Sequence, residues 1–147
     1  MLTCLLLLTT VTPSDLPADT AEKMIADERR KLQGSWKVVR VEPADRKVDG
    51  EEKVVIFKDD TITSGDRPAV KYKLDPTQDP KWFDMDMGKL FGPNEKEFYA
   101  PGIYLLDGDK LTLAIVTEAN GKVFKPRPKN FKDKFPGVIL HLERIKP

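Results

Sequence analysis

The chain is poor in the residues that reactive chemistry draws on. It holds one cysteine, Cys4, and one histidine, His141. A single cysteine excludes an internal disulfide and a thiolate metal cluster. His141 has no neighbour at triad or zinc spacing, so it reads as a solvated histidine on an outer strand face beside Glu143. Serine occurs at Ser14, Ser35 and Ser64 and never in a Gly-x-Ser-x-Gly elbow. An excess of either charge is also missing: 25 Lys+Arg against 24 Asp+Glu leave a net charge of +1. That balance argues against nucleic acid or an anionic membrane as main partner, because both need a concentrated basic face. No apolar run approaches the roughly eighteen residues of a membrane-spanning helix. What remains is one domain of ordinary composition, long enough to bury about two thirds of its unfolded surface without disulfide or metal.

Residues 1–18 differ from the rest. The apolar run Leu5-Leu6-Leu7-Leu8-Thr9-Thr10-Val11 is followed by Pro13, Pro17 and Ala18, with no charge before Asp15. This resembles the apolar and cleavage regions of a signal peptide, truncated at its basic end. It predicts a secreted, periplasmic or cell-envelope protein with a mature domain over 19–147. A plain N-terminal extension is the other reading of the same stretch. Lipid attachment at Cys4 is disfavoured, since three residues cannot hold the apolar segment that must precede it.

The leader gives way to a predicted helix. Asp19 reads as its cap with Glu22 completing a capping box, Met24, Ile25, Glu28 and Leu32 form one face, and Gly34 provides a left-handed stop. Such a narrow stripe suits a helix laid across a barrel mouth or side.

From Trp36 the period becomes two. Strands are expected over Trp36–Val41, Val54–Lys58, Thr61–Ser64, Ala69–Leu74, Trp82–Met87, Gly102–Leu106, Lys110–Val116 and Val138–Ile145. Asp49-Gly50, Asp59-Asp60, Asp107-Gly108-Asp109 and Asn120-Gly121 mark turns. About eight short antiparallel strands behind one helix predict an all-β up-and-down barrel. Parity adds to this. Val138, Leu140, Leu142 and Arg144 share one face of the last strand, and an arginine there needs a partner, which Trp36 on the first strand can supply. First and last strands as neighbours would close the cylinder. Arg144 reaching outward at the terminus is the simpler alternative.

Gly34-x-Trp36 before the first strand and an arginine late in the last one resemble the lipocalin (calycin) signature. Leu32-Gln33-Gly34-x-Trp36, Gly102-x-Tyr104, Asp107-Gly108-Asp109-x-Leu111 and Arg127-Pro128-x-x-Phe131, taken together, resemble a bacterial lipocalin-like domain family abundant in planctomycete-type genomes. The resemblance covers Leu32 to about Arg144. It implies a lipocalin-like barrel behind a secretion signal, with Trp36, Arg144, Gly34, Gly102 and Arg127 as structural positions, and it implies no reaction. The chain departs from that pattern at Ala114, where members often carry cysteine, and at Lys122-Val123-Phe124-Lys125-Pro126.

No catalytic residue, metal ligand or cofactor follows from the sequence, and the domain reads as a non-enzymatic monomer. Asp84 and Asp86 share a strand face and read as a solvated outer pair rather than as a glycosidase pair. A barrel of eight strands is either filled by its side chains or holds one small ligand. The expected inward set is Tyr72, Phe83, Met85, Met87, Leu111, Leu113 and Leu140. With Tyr104 added to Tyr72, Phe83, Met85, Met87, Leu113 and Leu140, it gives the candidate lining for a small apolar or amphipathic ligand. A different class of function is open too. The loop 120–136 carries Lys122, Lys125, Arg127, Lys129, Lys132 and Lys134 against Asp133, and could engage an acidic protein or envelope polymer.

Overall fold

The computed structural model describes residues 16–44, 53–88, 98–120 and 123–147. The apolar leader segment over 1–15, the Asp49-Gly50 turn, Gly121 of the Asn120-Gly121 turn and Lys122 of the basic loop lie outside the described residues. Among the described residues a 15-residue helix, α1 (Ala18–Leu32), precedes ten strands. These are β1 (Gly34–Glu42), β2 (Val54–Lys58), β3 (Thr61–Ser64), β4 (Val70–Asp75), β5 (Lys81–Asp86), β6 (Tyr99–Asp107), β7 (Lys110–Val116), β8 (Ala119–Asn120), β9 (Val123–Phe124) and β10 (Gly137–Arg144).

Eight of the strands close an antiparallel barrel in the order β1-β10-β7-β6-β5-β4-β3-β2, while β8 and β9 form a separate two-stranded hairpin. The all-β, up-and-down expectation is therefore met, and closure is made by β1 and β10. Trp36 stands opposite Arg144, and Val38 opposite Leu142. A bulge at Val39 then re-registers the pair so that Arg40 faces His141 and Val41 faces Leu140.

Because every barrel neighbour is antiparallel, the connections divide between two ends. The β2–β3, β4–β5 and β6–β7 turns share one end with α1 and with the last residues of β10. The β1–β2, β3–β4, β5–β6 and β7–β10 connections share the other, the loop end. That division positions the site described below.

The helix differs in detail from the expectation. Its N-cap is Pro17, with no side-chain cap, and Asp19 lies in the first turn. The fixed φ of a proline suits this boundary, and the Pro17 carbonyl accepts the Thr20 and Ala21 amides at 3.0 and 3.1 Å. Asp19 still opposes the positive end of the helix dipole. At the other end Gln33 is already extended, and Gly34, at φ +111°, opens β1 rather than closing the helix.

Two apolar clusters hold the fold. The larger lies inside the barrel and includes Leu32, Trp36, Phe57, Tyr72, Phe83 and Tyr104. The smaller is on the outside, where Ile103, Ala114 and Ile139 are covered by Phe131 and Phe135. The outward face of β10 is thus not simply solvated, because the chain before it straps across the wall. Gly102 is where β5, β6 and β7 crowd together: a Cβ there would stand 2.6 Å from the Ala114 carbonyl oxygen and 2.8 Å from that of Phe83. Both obstacles are backbone, so only glycine fits without spreading the strands.

Candidate functional site

The interior is built differently at its two ends. Toward the helix it is closed by aromatic rings. Tyr72 and Phe83 stack at 5.4 Å between centroids, Phe57 meets Tyr72 edge-on at 5.4 Å, and Tyr104 meets Phe83 edge-on at 6.5 Å. Each such pair adds about 0.5–1.5 kcal/mol beyond the area it buries. Leu111 and Leu113 from β7, Leu142 from β10 and Trp36 from β1 complete a floor to which strands around the barrel contribute.

Polar contacts fasten α1 beneath that floor. The buried Glu28 carboxylate accepts the Tyr104 hydroxyl at 2.9 Å and lies 3.1 Å from the ammonium groups of both Lys31 and Lys81. Burial pushes the Glu28 carboxyl up. The hydrogen bonds from Lys81, Tyr104 and Lys31 outweigh it and hold the group below its usual range. The same burial, with the Glu28 carboxylate adjoining, pushes the Tyr104 phenol well above its ordinary value. Gln33 grips the β2–β3 turn, taking the Asp59 amide at 2.6 Å and donating to the Asp59 carbonyl at 3.1 Å. The Tyr72 hydroxyl donates to that carbonyl at 2.8 Å.

Above the floor the lining changes to aliphatic and thioether groups. Val38, Val70, Met85, Met87 and Leu140 point into the barrel but are only half-buried. Phe124, on the β8–β9 hairpin, packs against the same cluster from the loop end and stacks on Phe98 at 4.6 Å. From Met87 to Phe83 is four residues. At ~3.3 Å per residue and a strand tilt of about 40°, that is about 10 Å of depth between mouth and floor.

The sequence-derived lining residues therefore fall into two groups. Tyr72, Phe83, Tyr104 and Leu113, each at most 1% exposed, belong to the floor. Met85, Met87 and Leu140 belong to the half-buried upper wall. Val38, Phe98 and Phe124 escaped the sequence reading, and Val70 joins the wall on the face that alternation gives it with Tyr72 and Leu74. Phe124 had a signal, an apolar pair with Val123 inside an otherwise basic loop.

The structural positions gather in two groups on the wall. Arg144 lies over Trp36, 4.2 Å from the ring centre, and Gly34 faces Arg144 Nη1. Arg127, from the strap, stacks on the outer face of Trp82 at 4.2 Å and bonds Asp84 and the Gly102 carbonyl at 2.6 Å each. Three expectations are corrected by these contacts. Asp84 is not a solvated acid but the partner of Arg127, and Asp86 caps the amides of Gly88 and Phe98 at 2.8 and 3.3 Å. Arg127 is committed to the wall and so is withdrawn from the basic loop. His141 is not solvated alone either. It lies 2.6 Å from Glu42 and 3.0 Å from Arg40 across the β1–β10 seam, and its hydrogen bond, with Arg40 nearby, keeps the Glu42 carboxyl below its usual range.

Among the described residues no group of three His, Cys, Asp or Glu side chains could hold a metal ion, and no helix is long and apolar enough to cross a membrane. Comparison with protein-family models, with curated proteins and with solved structures found no match.

Proposed function

We propose that the protein is a non-enzymatic, extracytoplasmic binding domain of lipocalin-like type, which takes a small apolar or amphipathic molecule into the loop half of its barrel. One observation carries the reading. Toward the loop end the inward side chains of Val38, Val70, Met85, Met87 and Leu140 stay only partly buried among buried neighbours, while those of the aromatic floor are sealed. Partly exposed apolar surface facing inward, about 10 Å above a sealed floor, gains by covering itself with a ligand. Met85 and Met87 can adjust to irregular shapes, which favours breadth over tight selection. The polar groups at the helix end are not offered to a ligand: the buried Glu28 carboxylate and Tyr104 phenol are consumed by holding α1.

Native mass spectrometry and calorimetry with small apolar compounds test the reading. One-to-one saturable binding is expected. Met85→Trp, which fills the upper wall without adding charge, should weaken it at least tenfold while thermal unfolding stays near the parent value. Absence of saturable binding across aliphatic and aromatic compounds would refute the reading. The extracytoplasmic assignment rests on the apolar segment 5–11, and cell fractionation of the full chain checks it.

A second reading keeps some support. Lys125, Lys129, Lys132 and Lys134 are exposed on the loop and strap, and Asp133 is hydrogen-bonded to Asn130. A salt-sensitive pull-down lost on Lys→Glu changes at these four positions would favour docking to an acidic protein or polymer.

A further inference from the structure

The charges inside the barrel are distributed unequally, and that has a consequence for any occupant. Residues directly opposite one another on paired strands share a face. Lys81 stands opposite the inward Tyr104, and Arg144 opposite the inward Trp36, so both basic side chains turn into the barrel at its helix end. Both are spoken for there. Lys81 pairs with Glu28 at 3.1 Å, and Arg144 bonds Asp109 at 3.1 Å and the Gln33 carbonyl at 2.8 Å. The aromatic floor then separates these groups from the space above. In the loop half the barrel strands turn Val38, Val41, Val55, Val70, Met85, Ala100, Ile115, Val138 and Leu140 inward, with the hydroxyl of Ser64, opposite Val55, as a polar exception, while Lys53, whose carbonyl takes the Val38 amide at 2.9 Å just before β2, stands at the mouth.

We infer that the barrel accepts only the uncharged part of a ligand, that it binds amphiphiles tail-first with the polar head left in water at the loop end, and that it rejects molecules charged at both ends. The inference rests on the ligand-binding reading above and adds orientation and substrate class to it. An ion driven against the aromatic floor would lose its hydration and meet no counter-charge, because Lys81, Arg144 and Glu28 lie beyond the rings and are already paired. A single-headed amphiphile avoids that loss by keeping its head at the mouth. A molecule with two charged ends cannot.

The test uses three eight-carbon probes on the full protein at neutral pH: 1-octanol, octanoate and octanedioate, with affinities from calorimetry. Octanol and octanoate should both bind, and octanedioate should bind more than tenfold more weakly than octanoate. Octanedioate within tenfold of octanoate would overturn the inference and leave the ligand-binding reading standing, because a second charge would then be accommodated inside. Failure of all three to bind would overturn this inference, and if aromatic compounds also fail to bind saturably it would refute the ligand-binding reading with it. Leu140→Lys gives an independent arm, since a lysine placed above the floor should bring octanedioate to within tenfold of octanoate. An unchanged ratio in a folded Leu140→Lys protein would contradict the proposed depth of the ligand's inner end.

Discussion

The Arg144 guanidinium lies 4.2 Å from the centre of the Trp36 ring while its nitrogens reach the main-chain carbonyls of Lys31 and Gln33. One side chain thus covers an indole, satisfies carbonyls at the C-terminal end of α1 and, through Asp109, holds the β6–β7 hairpin at 3.1 Å. The Trp36 indole N–H donates back to the Leu32 carbonyl at 2.8 Å. Barrel closure and helix attachment therefore share the same two residues.

Removing the arginine should accordingly cost more than a surface ion pair. Arg144→Ala is expected to lower stability by about 2–3 kcal/mol, combining a cation–π contact with lost hydrogen bonds. Arg144→Lys should recover less than half, because a lysine has no planar fork to span ring and carbonyls together. Urea denaturation of both variants checks this. A loss below about 0.5 kcal/mol, the range of an exposed pair, would contradict the role.

The Glu28–Tyr104 contact predicts a stability profile with two limbs. The Glu28 carboxyl is held below its reference value of 4.5 in the fold. Its contribution is complete above that value and is lost as the pH falls through the lower folded one. The Tyr104 phenol is shifted in the opposite sense from its reference of 10.0. Its contribution is complete below pH 10 and declines as the unfolded chain, but not the fold, ionises above it. Glu28→Gln should flatten the acid limb and cost about 2 kcal/mol at neutral pH, since hydrogen bonds to a charged group are lost. Tyr104→Phe should flatten the alkaline limb. Thermal unfolding followed from pH 2 to pH 11 measures both.

Arg127→Ala should release the strap without unfolding the barrel. Its guanidinium is the link from the segment before β10 to Trp82, Asp84 and the Gly102 carbonyl. Trypsin should then cut faster at Lys129, Lys132 and Lys134, and Trp82 emission should shift to the red. A cost of about 1–2 kcal/mol is expected from the partly buried pair and ring contact. An unchanged cleavage rate would show that Phe131 and Phe135 hold the strap unaided.

Much of the architecture was legible because a strand writes its faces with a period of two. Parity alone placed Leu140, Leu142 and Arg144 together and pointed from Arg144 to Trp36. The helix start was misread because Asp19-x-x-Glu22 fits a capping box locally, whereas the proline before Ala18 sets the boundary through its backbone angle. Arg127 and Asp84 are 43 residues apart, and no local pattern announces such a pair. The split between sealed floor and half-buried wall was equally hidden, because alternation says which side chains turn inward and not how far in they lie. The β8–β9 hairpin, with two residues per strand, is too short for periodicity to register.

The most direct measurement of the binding account uses the methionines. The chain has four, and Met85 and Met87 stand on the upper wall while Met24 lies on the helix and Met1 precedes the described residues. With carbon-13 methionine methyls, titration of 1-octanol should move the Met85 and Met87 resonances along saturable curves and leave Met24 in place. Shifts confined to Met24, or no saturable shift at Met85 and Met87, would contradict the claim that the loop half of the barrel receives the ligand.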